Sequence, residues 1–415
     1  MKIAYHHYLR PDDGALLHVR QFADAARALG HDVEVRALNL APPDPRPGAR
    51  ATGALQARAF LKRVLGRYLH EPKELLWNPL YVRKERRLLS RARPDVLLVR
   101  DHLMTSSCLR VARSLSLPLV LEMNAPAVES RLYLDEYWHL PFVPGYLEGR
   151  KLREADAVTV VSSALRDHLV ERYRLPAAKF VVNPNGVDLS LFRPDREPDP
   201  EFRARDGAVV VGFVGSFSPW HGGDLLARLV VEVLKARRDV RFVLVGDGPD
   251  RSLVERATGG LVGRVTFTGR LPHARVPSVV AAFDVAVTPE AAFYQSPLKV
   301  PEWMAAGRAI VAPGYGPLRE IIADGVEGLL FTPRDLGALV AAVLRLVDDP
   351  ALRRRLGDAA ADRARLSLSW EENARRVVRA CEESVRRTHD RRPTRRRGGD
   401  RRVTIHGRAL PERRA

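Results

Sequence analysis

Short apolar runs alternate with longer amphipathic segments over most of the chain. The runs Asp95–Val99, Leu117–Met123 and Ala155–Val161 are rich in Val or Leu, a composition typical of strands buried on both faces of a parallel sheet. Between such runs, His18–Leu29 places apolar side chains at helical spacing and Gly30 ends the pattern. The alternation predicts an α/β fold in which helices connect parallel strands.

The alternation stops once and then starts again. Asp188–Asp206 is polar and contains three prolines, as expected of a linker between domains. Ligands of doubly wound sheets bind at the carboxyl ends of the strands, so a cleft between two such domains is the expected site. We therefore expect an α/β protein of two Rossmann-like, doubly wound domains facing across a cleft. Its parts are an N-terminal domain over 1–190, a C-terminal domain over 207–369, a C-terminal helix over 370–387 and a disordered basic tail over 388–415.

The segment from Pro289 to Gly307 combines a predicted strand end, a loop and a predicted helix start. Ser296 and Pro297 suit the first turn of a helix, where free N–H groups favour an anion. Lys299 would add a full positive charge there, and Glu302 can accept hydrogen bonds from a pair of ribose hydroxyls. A solvated connection between strand and helix explains the same residues equally well, so both interpretations stay open on this segment alone.

The net charge of +18 is concentrated in two segments. Residues 50–93 and residues 386–415 each contain twelve basic and three acidic side chains. Within the first segment, 50–70 and 80–93 resemble two basic amphipathic helices. Solvated faces and a loose tail explain this charge, and so does attraction to anionic lipid headgroups or a polyanionic acceptor. Nucleic acid is not an expected partner, because no recognition helix, stacking aromatics or zinc module accompanies the basic segments.

The cellular compartment is predicted from the absence of disulfide, signal-peptide and membrane-spanning patterns in the sequence. Cys108 and Cys381 form neither a disulfide framework nor a metal-binding spacing, which fits a reducing cytosol. The start of the chain does not resemble a signal peptide, and no apolar run approaches the roughly 18 residues needed to span a bilayer. We expect a cytoplasmic protein. On the lipid interpretation of its basic segments, it is peripheral at the inner face of the membrane.

Several motifs carry a resemblance to a known family. The sequence VNPNGVD at Val182–Asp188, followed by Phe192-Arg193-Pro194, resembles the pNGvD…F.P signature of family 4 retaining glycosyltransferases. This signature and the segments named below occur in the family's order and spacing, which makes the resemblance specific over residues 1 to about 385. The other matching segments are Asp13-Gly14 with His18-Val19, Ala28–Val33, Val211–Gly222, Val245–Pro249 and Val265–Arg270.

The resemblance implies the GT-B fold, in which the N-terminal domain binds the acceptor, the C-terminal domain binds the nucleotide sugar, and a nucleoside diphosphate sugar is the co-substrate in the cleft. It implies that Glu302 binds the nucleotide ribose and that Gly14 lies where the family's Gly-rich loop meets the phosphates. It also places Asn124 where relatives often have a histidine near the donor sugar. No metal is expected, because the family usually works without a bound ion. The residues expected to contact the donor are Gly14, Gly215, Ser216, Gly248, Arg270, Tyr294, Pro297, Leu298 and Glu302, and those expected to act in catalysis are His221, Lys299 and Asn124.

The sequence departs from the family pattern at the donor site. Tyr294 stands where relatives often use a glutamate to hold sugar hydroxyls, and a tyrosine lacks that charge. Ser216 and His221 stand where relatives have an arginine and a lysine for the diphosphate. A phosphate would favour protonated His221, and Lys299 can supply the missing charge from the neighbouring helix.

Structural roles compete with several of these assignments. A histidine at position 221 is also expected in a surface loop, and a lysine at position 299 is also expected in a solvated first helical turn. An asparagine at position 124 is also expected in an Asx turn before Pro126. Tight packing explains the glycines Gly215 and Gly248 and is compatible with close approach of a ligand.

The favoured interpretation is a retaining glycosyltransferase that moves a sugar from a nucleoside diphosphate sugar to an acceptor hydroxyl. The acceptor is expected to be saccharide or lipid-linked, in polysaccharide, glycolipid or glycoconjugate biosynthesis. The resemblance implies front-face attack, in which the departing diphosphate helps to take the acceptor proton and the protein mainly positions groups and stabilises charge. Two alternatives stay open: a non-catalytic GT-B module that binds a nucleotide sugar or a partner enzyme, and a sugar-nucleotide epimerase.

Overall fold

The computed structural model confirms two α/β domains, each built on a parallel sheet of six strands. For residues 53–71 only the backbone is described. The described residues are 1–10, 15–39, 53–126, 128–129, 140, 142–204, 206–261 and 263–390.

The first domain has the strand order β2-β1-β3-β4-β5-β6, with every described pair parallel. Its central strands are buried on both faces, as their continuous Val and Leu content requires. The described elements are β1 (Lys2–His7), α1 (Leu16–Ala28), β2 (Asp32–Ala37), α2 (Gly53–Ala92), β3 (Val96–Arg100), α3 (Ser107–Leu115), β4 (Leu119–Met123), α4 (Val143–Glu154), β5 (Ala157–Val160), α5 (Ser163–Tyr173) and β6 (Phe180–Val182).

The second domain repeats this architecture with the strand order β12-β11-β10-β7-β8-β9. Its described elements are β7 (Val209–Val214), α6 (Gly223–Ala236), β8 (Val240–Val245), α7 (Arg251–Thr258), β9 (Val265–Gly269), α8 (Val276–Ala281), β10 (Val285–Val287), α9 (Lys299–Ala305), β11 (Ala309–Pro313), α10 (Gly316–Ile321), β12 (Leu329–Phe331), α11 (Leu336–Asp348) and α12 (Pro350–Ser367).

A final helix, α13 (Trp370–Asp390), returns to the first domain. It buries Val377 and Cys381 in the same apolar cluster as Val19 and Phe22 of α1. Residues 388–390, which we predicted as the start of a disordered tail, are helical because α13 continues to Asp390. The rest of the predicted tail, 391–415, lies outside the described residues.

The prediction of two separate basic helices between residues 50 and 93 is wrong. A single helix, α2, contains Pro72 and Pro79. Pro79 lacks the N–H that would bond the carbonyl of Leu75 four residues earlier. The side chain of Asn78 donates to that carbonyl instead, with 3.2 Å between Asn78 Nδ2 and Leu75 O. This replacement bond explains how the helix continues through a residue that usually ends one.

The predicted linker, Asp188–Asp206, is irregular but packed. Its Phe192 and Phe202 are buried in an apolar cluster of the second domain. Asp199 accepts a hydrogen bond from Arg275, with 2.7 Å between Asp199 Oδ2 and Arg275 Nε. The connection therefore packs as part of the second domain.

One side of the cleft is held by a contact between α10 and the start of α5. The carboxylate of Glu320 accepts hydrogen bonds from the main-chain N–H and the hydroxyl of Ser163, at 3.0 and 2.5 Å. The N–H of Ala164 lies 3.4 Å from the same carboxylate. A carboxylate at the free N–H groups of a helix is a favourable arrangement, so this contact stabilises the observed angle between the domains.

Candidate active site

A cavity of about 610 Å³ lies between the two domains. The first domain contributes the carboxyl ends of β3 and β4 and the beginning of α1. The second contributes the loop after β7 and the residues that lead into α9. The predicted residues that line the cavity are Asn124, Gly215, Ser216, His221, Pro297, Leu298, Lys299 and Glu302. The structure therefore brings most of the predicted site together at the expected cleft.

Lys299 is the first residue of α9, and its ammonium group is buried in the cavity wall. Within the described residues, Nζ has no hydrogen-bond partner. It lies over the faces of Phe213 and Trp303, 4.7 and 5.7 Å from the ring centroids. Burial lowers the pKa of Lys299 from 10.5 to about 7. Two aromatic faces only partly replace water, so the cavity contains a cation that an anionic ligand would stabilise.

His221 faces Lys299 from the short turn that follows β7. Its Nδ1 is buried and, among the described residues, has no hydrogen-bond partner. Burial, reinforced by the charge of Lys299, lowers the pKa of His221 from 6.5 to about 2. A Cβ at Gly215 would lie 2.6 Å from the ring of Phe213 and 3.1 Å from His221 Nδ1. The glycine therefore allows the histidine to pack against the β7 loop, where both residues line the cavity.

Glu302 lies one turn further along α9, with most of its side chain buried. Burial raises the pKa of its carboxyl group, and the nearby His273 opposes that increase. His273 Nε2 lies 3.8 Å from Glu302 Oε1, which is an ion-pair distance rather than a hydrogen bond. The interaction with Glu302 raises the pKa of His273. His273 was not predicted, and it lines the cavity beside Glu302.

The first-domain wall is organised around Glu122, a residue that was not predicted. Its Oε1 accepts hydrogen bonds from Arg100 Nη1 and Asn124 Nδ2, each at 2.5 Å. Its Oε2 accepts one from the hydroxyl of Tyr5, also at 2.5 Å. Burial alone would raise the pKa of Glu122, but the charges of His18 and Arg100 and these hydrogen bonds hold it well below its usual range. Glu122 thus fixes Asn124 and Arg100 where they face the cavity.

Three predicted residues in the described part of the chain do not line the cavity. Tyr294 is buried in an apolar cluster of the first domain, and its main-chain oxygen accepts a hydrogen bond from Ser162. Arg270 is exposed at the end of β9. A Cβ at Gly248 would lie 1.7 Å from the oxygen of Ser216, so this glycine supports the loop that bears Ser216. Gly14 lies outside the described residues.

Neither a metal cluster nor a membrane span is found in the described ranges. They contain no group of three or more His, Cys, Asp or Glu side chains arranged to hold a metal ion. No helix among them is both long enough and apolar enough to cross a bilayer.

Comparison with known proteins identifies the class. A family model described as Glycosyltransferase Family 4 matches residues 13–191, and one described as Glycosyl transferases group 1 matches residues 208–349. The solved structure of the Anabaena protein HepE in complex with UDP covers 92% of this chain and 100% of its own, at a TM-score of 0.68 and 18% identity. The two facing domains and their cleft thus define a glycosyltransferase of the GT-B fold. Within that class, the chain belongs to the family 4 type.

Two curated relatives are transferases. The MMP alpha-(1->4)-mannosyltransferase of Mycolicibacterium hassiacum is 27% identical over 90% of this chain and 95% of its own. The alpha-D-kanosaminyltransferase of Streptomyces kanamyceticus is 28% identical over 62% of this chain and 69% of its own. Because these relatives differ in the sugar or acceptor that their names state, the comparison identifies glycosyl transfer but not its substrates.

Proposed function

We propose that the protein transfers a sugar from a nucleoside diphosphate sugar to an acceptor hydroxyl with retention of anomeric configuration. The observation that carries this proposal is the pair of buried groups without hydrogen-bond partners among the described residues, Lys299 Nζ and His221 Nδ1, on one wall of the cavity. A diphosphate would provide acceptors for both groups and would offset the cost of burying the lysine charge.

The neighbouring residues suit the remainder of a nucleotide. Glu302 lies one turn after Lys299 on α9, where its carboxylate would accept hydrogen bonds from the ribose hydroxyls. Gly215 has no side chain, so the phosphates could approach the main chain of the β7 loop. The UDP complex of HepE supports a nucleotide diphosphate as the ligand class for the shared fold. The proposed donor therefore binds mainly to the second domain.

The proposed chemistry is front-face substitution. The bond between the anomeric carbon and the diphosphate oxygen breaks, and the acceptor oxygen bonds to the same face of that carbon. The departing diphosphate oxygen takes the acceptor proton. Lys299 and His221 stabilise the charge that develops on the diphosphate, so a covalent nucleophile on the protein is not required. Because these side chains supply the charge stabilisation, we expect transfer to persist in EDTA.

A donor panel tests this proposal. Thermal shifts with UDP, GDP, ADP and dTDP sugars would identify the base, because a ligand that binds the folded state stabilises it. Transfer or slow hydrolysis of the stabilising donor is the expected result. Binding without turnover would indicate a non-catalytic module, and an altered sugar released without acceptor would indicate an epimerase. If no donor produced a shift, the proposal would be overturned.

We also propose that the acceptor is lipid-linked and is met at an anionic membrane surface through α2. Leu76 and Leu80 are 75% and 54% exposed on this helix. Lys73, Arg83 and Arg87 are exposed on the same face, since the five positions follow a spacing of three and four residues. Exposed leucines flanked by cations complement a bilayer of anionic headgroups, which attracts basic side chains and accepts apolar ones.

Co-sedimentation with vesicles of phosphatidylglycerol and phosphatidylcholine tests this contact. Replacing Leu76 and Leu80 together with serine should reduce binding several-fold. Leu366→Ser is the matched control, because Leu366 is equally exposed, at 75%, on α12 of the other domain. Equal binding by wild type and both variants would contradict the role of α2.

A further inference from the structure

His18 connects the two walls of the cavity. It lies on α1 of the first domain, with its ring nearly buried between three partners. Its Nε2 is 3.2 Å from Glu122 Oε1, and its Nδ1 is 2.8 Å from Asn185 Oδ1. The indole of Trp370 on α13 packs perpendicular to the ring, with 5.1 Å between centroids. Nδ1 therefore has a hydrogen-bond partner, and Nε2 lies at ion-pair distance from a carboxylate.

The orientation of the Asn185 amide is determined by Ser296. Asn185 Nδ2 donates to the carbonyl oxygen of Ser296 at 2.5 Å, and that oxygen can only accept. The main-chain N–H of Asn185 donates to the Ser296 hydroxyl at 3.2 Å. The other amide atom, Oδ1, is therefore the one that faces His18. An amide oxygen can only accept, so His18 Nδ1 must donate.

The partner on the other side of the ring is also only an acceptor. Glu122 already accepts from Tyr5, Arg100 and Asn124, and it is ionised because these groups stabilise its carboxylate. An unprotonated Nε2 would direct its lone pair at this carboxylate across 3.2 Å, so the contact favours a proton on His18 Nε2 as well. A neutral imidazole has one N–H, whereas the imidazolium has two.

We propose that His18 is held as an imidazolium and acts as a positioning residue of the proposed transfer reaction, on which this inference rests. Its two N–H groups join Glu122, which fixes Asn124 and Arg100, to Asn185 and through it to Ser296. Ser296 lies three residues before Lys299. The first-domain wall and the proposed diphosphate-binding segment are thereby held in a fixed position relative to each other.

The charges around the ring are consistent with this role. From the first domain, His18 faces the carboxylate of Glu122 on β4, with Arg100 of β3 and the hydroxyl of Tyr5 on β1 behind it. The segment after β6 presents only the neutral amide of Asn185, and α13 presents the indole of Trp370. Across the cavity stand Lys299 and His221. Loss of one proton from His18 would break the bond to Glu122 or to Asn185 and release one wall from the other.

Nitrogen NMR of the full chain tests the protonation directly. With ¹⁵N-labelled histidine at about pH 7.5 and no ligand, the signal of His18, among those of the twelve histidines, should show two protonated ring nitrogens. That signal should disappear in His18→Gln. In Asn185→Ala it should change to a neutral ring that donates only to Glu122. If His18→Gln does not fold, the change seen in Asn185→Ala still assigns the signal to His18. A neutral tautomer at His18 in the wild type would overturn the proposal.

Kinetics test the positioning role separately. His18→Gln should lower kcat by about 10- to 100-fold, since small misalignments of reacting groups carry costs of that order. Its dissociation constant for the donor nucleotide should stay within about twofold of wild type, because the proposed donor contacts belong to the second domain. His389→Gln, at the exposed end of α13, is the control and should match wild type.

An unchanged kcat in His18→Gln would overturn the positioning role, as would parallel losses of kcat and nucleotide affinity. The NMR result does not depend on turnover. A protein that is inactive with every donor would therefore overturn both the proposed function and the positioning role. The NMR spectrum would still test whether His18 is an imidazolium.

Discussion

Lys299 is the residue on which the proposed donor site depends most. A buried ammonium with two aromatic faces and, in the described part of the chain, no hydrogen-bond acceptor destabilises the empty protein. A lysine retained for structure would instead be paired. The arrangement is therefore better explained by a ligand than by folding, and the two explanations predict opposite effects of removing the charge.

Lys299→Met should stabilise the empty protein and weaken donor binding. Replacing a buried, poorly compensated charge with an apolar side chain of similar length often adds about 1–4 kcal/mol to the free energy of unfolding. Chemical denaturation and nucleotide titration measure the two effects. Lys235→Met, at a side chain 65% exposed on α6, should change neither. A destabilised variant with normal nucleotide affinity would show that Lys299 stabilises the fold and does not bind the donor.

Nucleotide binding should take up protons in the alkaline range. The pKa of Lys299 is lowered to about 7 in the empty site, so much of it is uncharged at about pH 8. A diphosphate favours the charged form and raises that pKa, so binding should take up as much as about one proton per site. Affinity should consequently fall as the pH rises above about 7. Calorimetry in two buffers of different ionisation enthalpy measures the uptake, and identical heats in both would contradict it.

Sequence patterns predicted part of this residue-level description. Lys299 and Glu302 could be found because they follow a strand at a helix start, where the local pattern itself implies an anion site. Glu122 and His18 could not, since their roles depend on partners far away: His18 and Asn185 are 167 positions apart. Tyr294 aligned with a sugar-binding position, yet its ring packs in the first domain's apolar cluster. Alignment gives a position, whereas packing decides which way a side chain points.

At the scale of elements, the loops after β7 and β8 support each other. Gly246, at a φ of 122°, and Gly248 both lie against the main chain of the β7 loop. A Cβ at Gly246 would meet the oxygen of Gly215 at 1.8 Å. The paired glycines of the GDG sequence therefore place Gly215 and Ser216 at the cavity, although Gly248 itself does not line it.

Gly248→Ala should displace the β7 loop and weaken donor binding indirectly. Its Cβ would overlap the oxygen of Ser216, and forcing atoms into a packed region typically costs about 1–3 kcal/mol. Gly260→Ala is the matched control, because a Cβ there meets nothing within 4 Å. The comparison uses melting temperature and nucleotide affinity for both variants. Equal behaviour of the two would show that the β7 loop does not depend on Gly248.

The element predictions were most accurate where burial is continuous. Strands such as β3 and β4 have apolar residues on both faces, and their positions were predicted correctly. The helices α3, α4, α5 and α10 and the strand β12 were not predicted. Helix α4 contains Pro144, Gly145 and Gly149, which reduce local helix propensity, and β12 has only three residues. Tertiary packing determines these short elements more than their own sequence does.

At the scale of the molecule, the angle between the domains determines the cavity. The contacts that span the interface include Glu320 against the start of α5, the hydrogen bond from Ser162 to the main-chain oxygen of Tyr294, and the chain of hydrogen bonds from His18 through Asn185 to Ser296. The return of α13 to the first domain joins the two lobes a second time. The sequence predicted two lobes and a cleft, but the contacts that set the angle join residues from separate segments and have no local signature.

Glu320→Ala should let the empty protein open. The variant loses the carboxylate that accepts from Ser163 and Ala164, while each domain keeps its own core. Small-angle scattering should show a larger radius of gyration than wild type, and bound nucleotide should reduce the difference. Glu232→Ala, which removes an exposed carboxylate from α6, should scatter like wild type. A compact Glu320→Ala protein would show that the other contacts alone hold the angle.

We propose that a nucleotide diphosphate binds between the domains, with its phosphates at Lys299 and His221 and its ribose at Glu302. The most direct test is a crystal structure with the nucleoside diphosphate that gives the largest thermal shift. We predict phosphate oxygens within about 3 Å of Lys299 Nζ and a hydrogen bond between the Glu302 carboxylate and a ribose hydroxyl. A nucleotide bound elsewhere, or a Glu302 side chain that makes no contact with the ribose, would contradict the account.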